Sequence, residues 1–295
     1  TATQLNATAN VPGTFTYTPL SGTVLNAGAN QNLKVDFVPT DAANYASTSK
    51  TVSINVGKAT PIITWANPAD ITYGTALTAT QLNATANVPG ALTYTPVSGT
   101  VLNAGANQNL KVDFVPADAA NYASTSKTVT INVGKATPII TWANPADIAY
   151  GTALTATQLN ATANVPGTFT YTPASGTVLN AGANQNLKVD FVPTDAANYA
   201  STSKTVTINV GKTTPVITWA NPADISYGTA LTATQLNATA DVTGTFIYTP
   251  ASGTVLNAGA NQNLKVDFVP TDAANYAATS KTVTINVGKT TPVIT

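Results

Sequence analysis

Five residue types are missing from these 295 residues, which contain no Glu, Arg, Cys, His or Met. The 12 acidic residues are therefore all Asp and the 12 basic residues all Lys, giving a net charge of zero. Without His and Glu the commonest general acids and bases are gone. Without Cys there is no thiol nucleophile or soft metal ligand, and without Arg no planar clamp for phosphate. These absences predict a protein that is not an enzyme and holds no cofactor. Charged residues make up only 8% of the chain, too few for the basic face that displaces counterions from nucleic acid or the polybasic run that tethers a protein to a membrane. No segment approaches the ~20 consecutive apolar residues of a membrane-spanning helix, so no membrane insertion is expected here, and no N-terminal stretch reads as a signal peptide. Cysteine absence also excludes a disulfide framework.

What the chain does have is repetition. Trp65, Trp142 and Trp219 fall 77 residues apart, as do Tyr73, Tyr150 and Tyr227, with no insertion or deletion between copies. Helical solenoid units run roughly 20 to 50 residues, so a longer unit is read as a small domain. The differences between copies are few: Leu20, Val97, Ala174 and Ala251 share one position, and Asn10 and Pro12 become Asp241 and Thr243 in the fourth copy.

Within a unit the apolar period is two. Leu33, Val35 and Phe37 alternate with Lys34 and Asp36, and Val52, Ile54 and Val56 alternate with Thr51, Ser53 and Asn55. Leu5, Ala7, Ala9 and Val11 show the same pattern, which predicts half-buried strands of an antiparallel sheet. Turn residues separate these runs, and no stretch carries a helical stripe. Asp41-Ala42-Ala43-Asn44 is the one candidate helical turn. About seven short strands per unit predict an all-β chain of tandem immunoglobulin-like β-sandwiches. The run Asp41 to Ser47 looks like the entrance to the sixth immunoglobulin strand, with Ser47 in the cysteine position. Tyr45, Tyr122, Tyr199 and Tyr276 would then be corner tyrosines whose hydroxyls bond upstream backbone.

The motifs Asn-Ala-Gly-Ala-Asn-Gln-Asn-Leu-Lys-Val-Asp-Phe, Asp-Ala-Ala-Asn-Tyr and Lys-Ala-Thr-Pro-Ile-Ile-Thr-Trp, with Tyr73-Gly74, resemble the bacterial Ig-like tandem repeats of large secreted surface and adhesin-type proteins. The resemblance covers the whole chain. It implies an extracellular or cell-surface setting.

Only Gly57 to Thr60 separate Ile54-Asn55-Val56 from Pro61-Ile62-Ile63. Pro61 fixes its own φ and biases Thr60 toward extended backbone, so successive sandwiches are expected end to end as an elongated rod on the order of 130 to 160 Å long. With Thr60 to Ala66 as the first strand, the domain limits are expected at 1–58 for a repeat lacking its first strand, then 59–135, 136–212 and 213–289. Residues 290–295 are the first strand of a following repeat. A piece cut from a longer array explains this arrangement. The sharper alternative makes Thr291, Pro292, Val293, Ile294 and Thr295 an assembly strand that completes the open repeat of the next molecule.

Asn6, Asn83, Asn160 and Asn237 each begin an Asn-Ala-Thr acceptor for N-glycosylation, on the wet face of the alternation. The alternative is a polar strand position. Trp65, Trp142 and Trp219 are read as packing residues, with sugar stacking as the alternative. The Asp residues lie in separate turns and offer calcium too few oxygens, so no metal site is assigned. Lys34 faces out, beside Asp36. The expected function is a structural segment of an extracellular filament or stalk, whose partner is itself: neighbouring repeats, or identical chains in a filament. The alternative is a multivalent adhesin or carbohydrate-binding array acting on a glycan or host surface.

Overall fold

The computed structural model describes residues 1–294. In the first repeat, β1 (Gly13–Thr18), β2 (Gly28–Pro39) and β3 (Thr48–Val56) form an antiparallel sheet in the order β1-β2-β3. The second repeat adds β4 (Ile63–Thr64), β5 (Ile71–Thr72), β6 (Thr85–Ala86), β7 (Gly90–Thr95), β8 (Gly105–Pro116) and β9 (Thr125–Gly134). Its larger sheet runs β5-β9-β8-β7 and its smaller one pairs β4 with β6. All pairs are antiparallel except β5 with β9, where Ile71 lies opposite Val133. The third and fourth repeats carry the same six strands at the same spacing. The chain is an all-β array of immunoglobulin-like sandwiches.

The core follows from the period-two pattern. Leu110, Val112 and Phe114 on β8 point inward with Val129 and Ile131 on β9, and all are buried. Trp65, just past β4, covers them from the smaller sheet and is only 4% exposed. Its indole N–H donates to the Gln81 carbonyl at 3.0 Å, which meets the one polar demand of a buried Trp. The Tyr94 ring meets it edge-on at 5.4 Å. Gly90 lets β7 close over the core, since a Cβ there would sit 2.4 Å from Phe114 Cζ. Where β8 bulges between Gly105 and Gln108, Asn107 takes a φ of 52°. Its N–H is held by Asn132 Oδ1 at 2.9 Å, and Asn is among the few residues besides Gly that visit this region readily.

Two sequence expectations change. Each complete repeat has six strands, and the run predicted over Leu5 to Val11 shortens to Thr85–Ala86 in the second repeat and forms no strand in the first. The cause is the turn before it: Thr78 N–H donates to Gln81 Oε1 at 3.1 Å and Leu82 N–H to the Thr78 carbonyl at 2.9 Å, so the chain is coiled until residue 82. The side chains still alternate, with Leu82 and Ala84 buried. The second change concerns the tyrosines. Tyr17, Tyr171 and Tyr248 supply the tethered hydroxyls, accepting the N–H of Ala7, Ala161 and Ala238 at 2.9 to 3.0 Å. Among the described residues no such bond forms at Tyr45, Tyr122, Tyr199 or Tyr276; Tyr122 and Tyr276 instead lie in loops whose backbone bridges to the segment that enters their repeat.

Candidate functional site: the junction between repeats

The segment leaving β3 is not a free linker. Ala59 N–H donates to the Asn121 carbonyl at 2.9 Å and the Ala59 carbonyl accepts Ala123 N–H at 2.9 Å, a parallel bridge to the loop before β9. One residue earlier, Lys58 Nζ donates to the Ala119 carbonyl at 2.6 Å. Beyond Pro61, Asn87 Oδ1 accepts Ile62 N–H at 2.8 Å, and the chain enters β4. A segment contiguous with the last strand of the first repeat thus becomes the first strand of the second.

Asn121 ties the repeats together a second time. Its Oδ1 accepts the N–H of Ala27, 94 residues away in the first repeat, at 2.7 Å. The Nδ2 donates to Asp118 Oδ2 at 2.8 Å and to Asn26 Oδ1 at 3.4 Å, which fixes the amide's orientation. Asp118 also accepts Asn121 backbone N–H at 3.1 Å. These bonds, the side-chain one foremost, hold the Asp118 carboxyl below its ordinary value, and Asn44 does the same for Asp41 in the first repeat.

The third and fourth repeats join in the same way. Asn275, buried, accepts Ala181 N–H at 2.7 Å and donates to Asp272 Oδ2 at 2.9 Å. Thr213 bridges to Tyr276, Lys212 Nζ reaches the Ala273 carbonyl at 2.6 Å, and Thr213 Oγ1 donates to the Tyr150 carbonyl at 2.6 Å. The Tyr150 and Tyr276 rings meet edge-on, 5.3 Å apart. Tyr150 and the run Asp272-Ala273-Ala274-Asn275-Tyr276, copies of motifs that read as separate in sequence, therefore hold opposite sides of one joint. A signal that could have found it is the unvaried Asp-x-x-Asn spacing, which places a carboxylate where it can orient the amide.

The other candidate residues lie apart from the joint. Trp65, Trp142 and Trp219 are in the cores. Asn6, Asn83, Asn160 and Asn237 are exposed, and Asn83 Nδ2 donates to the Thr80 carbonyl at 3.1 Å. Residues 291–294 are exposed and unpaired, and Thr295 lies outside the described residues. Lys34 pairs with Asp36 at 2.8 Å on the surface, where such a pair contributes ~0 to 1 kcal/mol. Asp70 accepts Asn132 Nδ2 at 3.1 Å, and no three acidic side chains gather among the described residues.

No protein-family model matches the chain, and no curated protein matches it. Among solved structures it is similar to Sidekick-1 immunoglobulin domains 1-5, at 10% identity over 90% of this chain and 67% of that one, with a TM-score of 0.24. Zebrafish RET cadherin-like domains 1 to 4 match at 9% identity over 90% and 84% of the two chains, TM-score 0.24. The S-layer protein rSbsC(31-844) matches at 12% identity, and 97% of this chain covers 52% of it, TM-score 0.22.

Proposed function

We propose that the chain is a structural repeat segment of an extracellular filament or cell-surface stalk, which sets length, resists bending and catalyses nothing. The observation that supports this reading is the joint. A linker that adds backbone bonds, a lysine clamp and an oriented Asn amide between consecutive sandwiches is built to restrict swivel, whereas a flexible tether would leave those groups to water. The sparsely charged, net-neutral, Thr- and Asn-rich surface suits a spacer that engages little along its length. Head-to-tail assembly by strand donation is part of the same proposal, with identical chains as partners. Negative-stain electron microscopy of the purified chain tests it. Particles of uniform, extended length are expected, and a broad spread of bent, beaded shapes overturns it.

A further inference from the structure

Each repeat leaves one long strand edge uncovered. In the second repeat the larger sheet ends on one side at β5, two residues long, and on the other at β7, which pairs with β8 over all six of its residues. The Pro89 carbonyl accepts Ala117 N–H at 2.9 Å. From there the antiparallel alternation turns Ala91, Thr93 and Thr95 toward β8, and the N–H and C=O groups of Gly90, Leu92 and Tyr94 away from it. Among the described residues no other strand or side chain bonds to those outward groups. The strands Gly167–Thr172 and Gly244–Thr249 hold the same place in the third and fourth repeats.

Such an edge is ordinarily blunted by a charge, a proline, a bulge or shortness. The β5 edge is short, but β7 and its copies carry no charge, no proline and no register shift. Proline stands just outside instead: Pro89 and Pro96 bracket β7, and Pro166 and Pro173 bracket Gly167–Thr172. The charges on the adjoining strand of the third repeat, Lys188 and Asp190, already pair with each other at 2.7 Å.

We propose that this edge pairs side by side with the same edge of a second copy of the chain. Antiparallel and centred on Phe169, the two strands place Phe169 opposite Phe169, and Gly167 of each opposite Tyr171 of the other. Every outward N–H and C=O then meets its complement, giving about six backbone bonds per seam. On the outer face Thr168 lies opposite Thr170, and at the centre two half-buried rings come together. The flanking prolines fix this register, because a slip of two residues opposes Gly167 to Pro173, which has no N–H. A copy of the same edge is the occupant that matches in length, register and lack of charge on both sides. The inference is independent of the spacer reading, which concerns joints within one chain.

Sedimentation velocity of the intact chain up to about 0.5 mM tests the proposal, together with amide exchange in protein isotope-labelled only at its seven Phe residues. Reversible, concentration-dependent association is expected. Phe15, Phe169 and Phe246, whose N–H groups face outward, should gain protection as association proceeds, while Phe37, Phe114, Phe191 and Phe268 on the inner strands stay unchanged. Thr16→Lys, Thr93→Lys, Thr170→Lys and Ile247→Lys, combined in one chain, set like charges diagonally across the seam and should raise the association concentration about tenfold or more. Ser49→Lys, Ser126→Lys, Ser203→Lys and Ser280→Lys add the same charge two strands inward, opposite Asp36, Asp113, Asp190 and Asp267, and should leave it unchanged. A chain that stays monomeric throughout overturns the proposal. So does association that the edge lysines weaken no more than the inner ones, or protection that rises at all the Phe residues alike. The stiffness of single chains is read separately by microscopy, so failure here leaves the spacer reading standing.

Discussion

Replacing Asn275 with Ala should loosen one joint without unfolding either repeat beside it. The substitution removes the oxygen that accepts Ala181 N–H at 2.7 Å and the amide that donates to Asp272 and Asn180 at 2.9 and 3.4 Å. Asp272 and Asn180 lie in loops that water reaches, so they recover most of what they lose. The half-buried Ala181 N–H has no second protein acceptor, and stranding such a group costs about 1 to 3 kcal/mol. That cost is charged to the docked state, so amide exchange at Ala181 should quicken about 5- to 150-fold. Hydrogen exchange read by mass spectrometry resolves it, with Ala27, which the intact Asn121 holds, as an internal control expected to stay unchanged. Asn275→Asp keeps an acceptor oxygen but sets a second carboxylate beside Asp272, so protection should fall between wild type and Ala. Unchanged exchange at Ala181 refutes the assignment of Asn275 as a clamp. A uniform rise across β-strand amides of the fourth repeat refutes it too, by showing that the side chain supports the repeat's own fold.

Trp142→Ala should destabilise the third repeat by about 3 to 5 kcal/mol, seen as a separate low-temperature step in a calorimetric melt, because a buried indole and its bond to the Gln158 carbonyl are both lost. In Gly167→Ala the new Cβ would meet Phe191 Cζ at 2.4 Å and the Val192 carbonyl at 2.5 Å, a backbone contact that cannot swing aside; a cost of about 1 to 3 kcal/mol is expected in chemical denaturation. Asp118 has a lowered folded pKa, so its contribution is complete above the ordinary carboxylate value of about 3.9 and fades as pH falls through the folded value. The joint between the first two repeats should therefore hold from pH 7 down to about 4 and loosen in stronger acid, followed by exchange at Ala27 after correction for intrinsic rates. Asp118→Asn should remove that acid step.

The larger sheet was legible because its inward residues, such as Leu110, Val112 and Phe114, sit in strands long enough for the alternation to show. The Trp positions were legible for a similar reason: one large ring per small domain has few places to go but inside. The strand expected from Leu5 to Val11 was not, since alternation reports which face a side chain takes and not whether the backbone finds a partner. Its partner, β4, is bounded by Pro61 and by Asn67-Pro68, which leaves two paired residues. The joint was the hardest to see. Ala27 and Asn121 are 94 residues apart, and neither type announces a contact. The Tyr of Asp-Ala-Ala-Asn-Tyr fitted an immunoglobulin corner by sequence, while Tyr17, on an alternating Thr-rich strand, holds the hydroxyl bond. The change from Asn10 to Asp241 is explained only by the structure: Asp241 Oδ1 accepts Val216 N–H at 2.9 Å, so the substitution keeps the one atom that the strand needs.

The parallel pairing of β5 with β9 determines how a repeat bears a load. Tension along the polypeptide enters before β5 and leaves after β9. In parallel strands that tension draws one backward and the other forward along their common axis. The bonds around Ile71, Thr72 and Val133, with the 2.8 Å bond from Tyr73 N–H to the Gly134 carbonyl, are then strained together in shear rather than opened one after another like a zipper. Since each complete repeat carries the same clasp, a stretched array should give way in equal steps, one sandwich at a time.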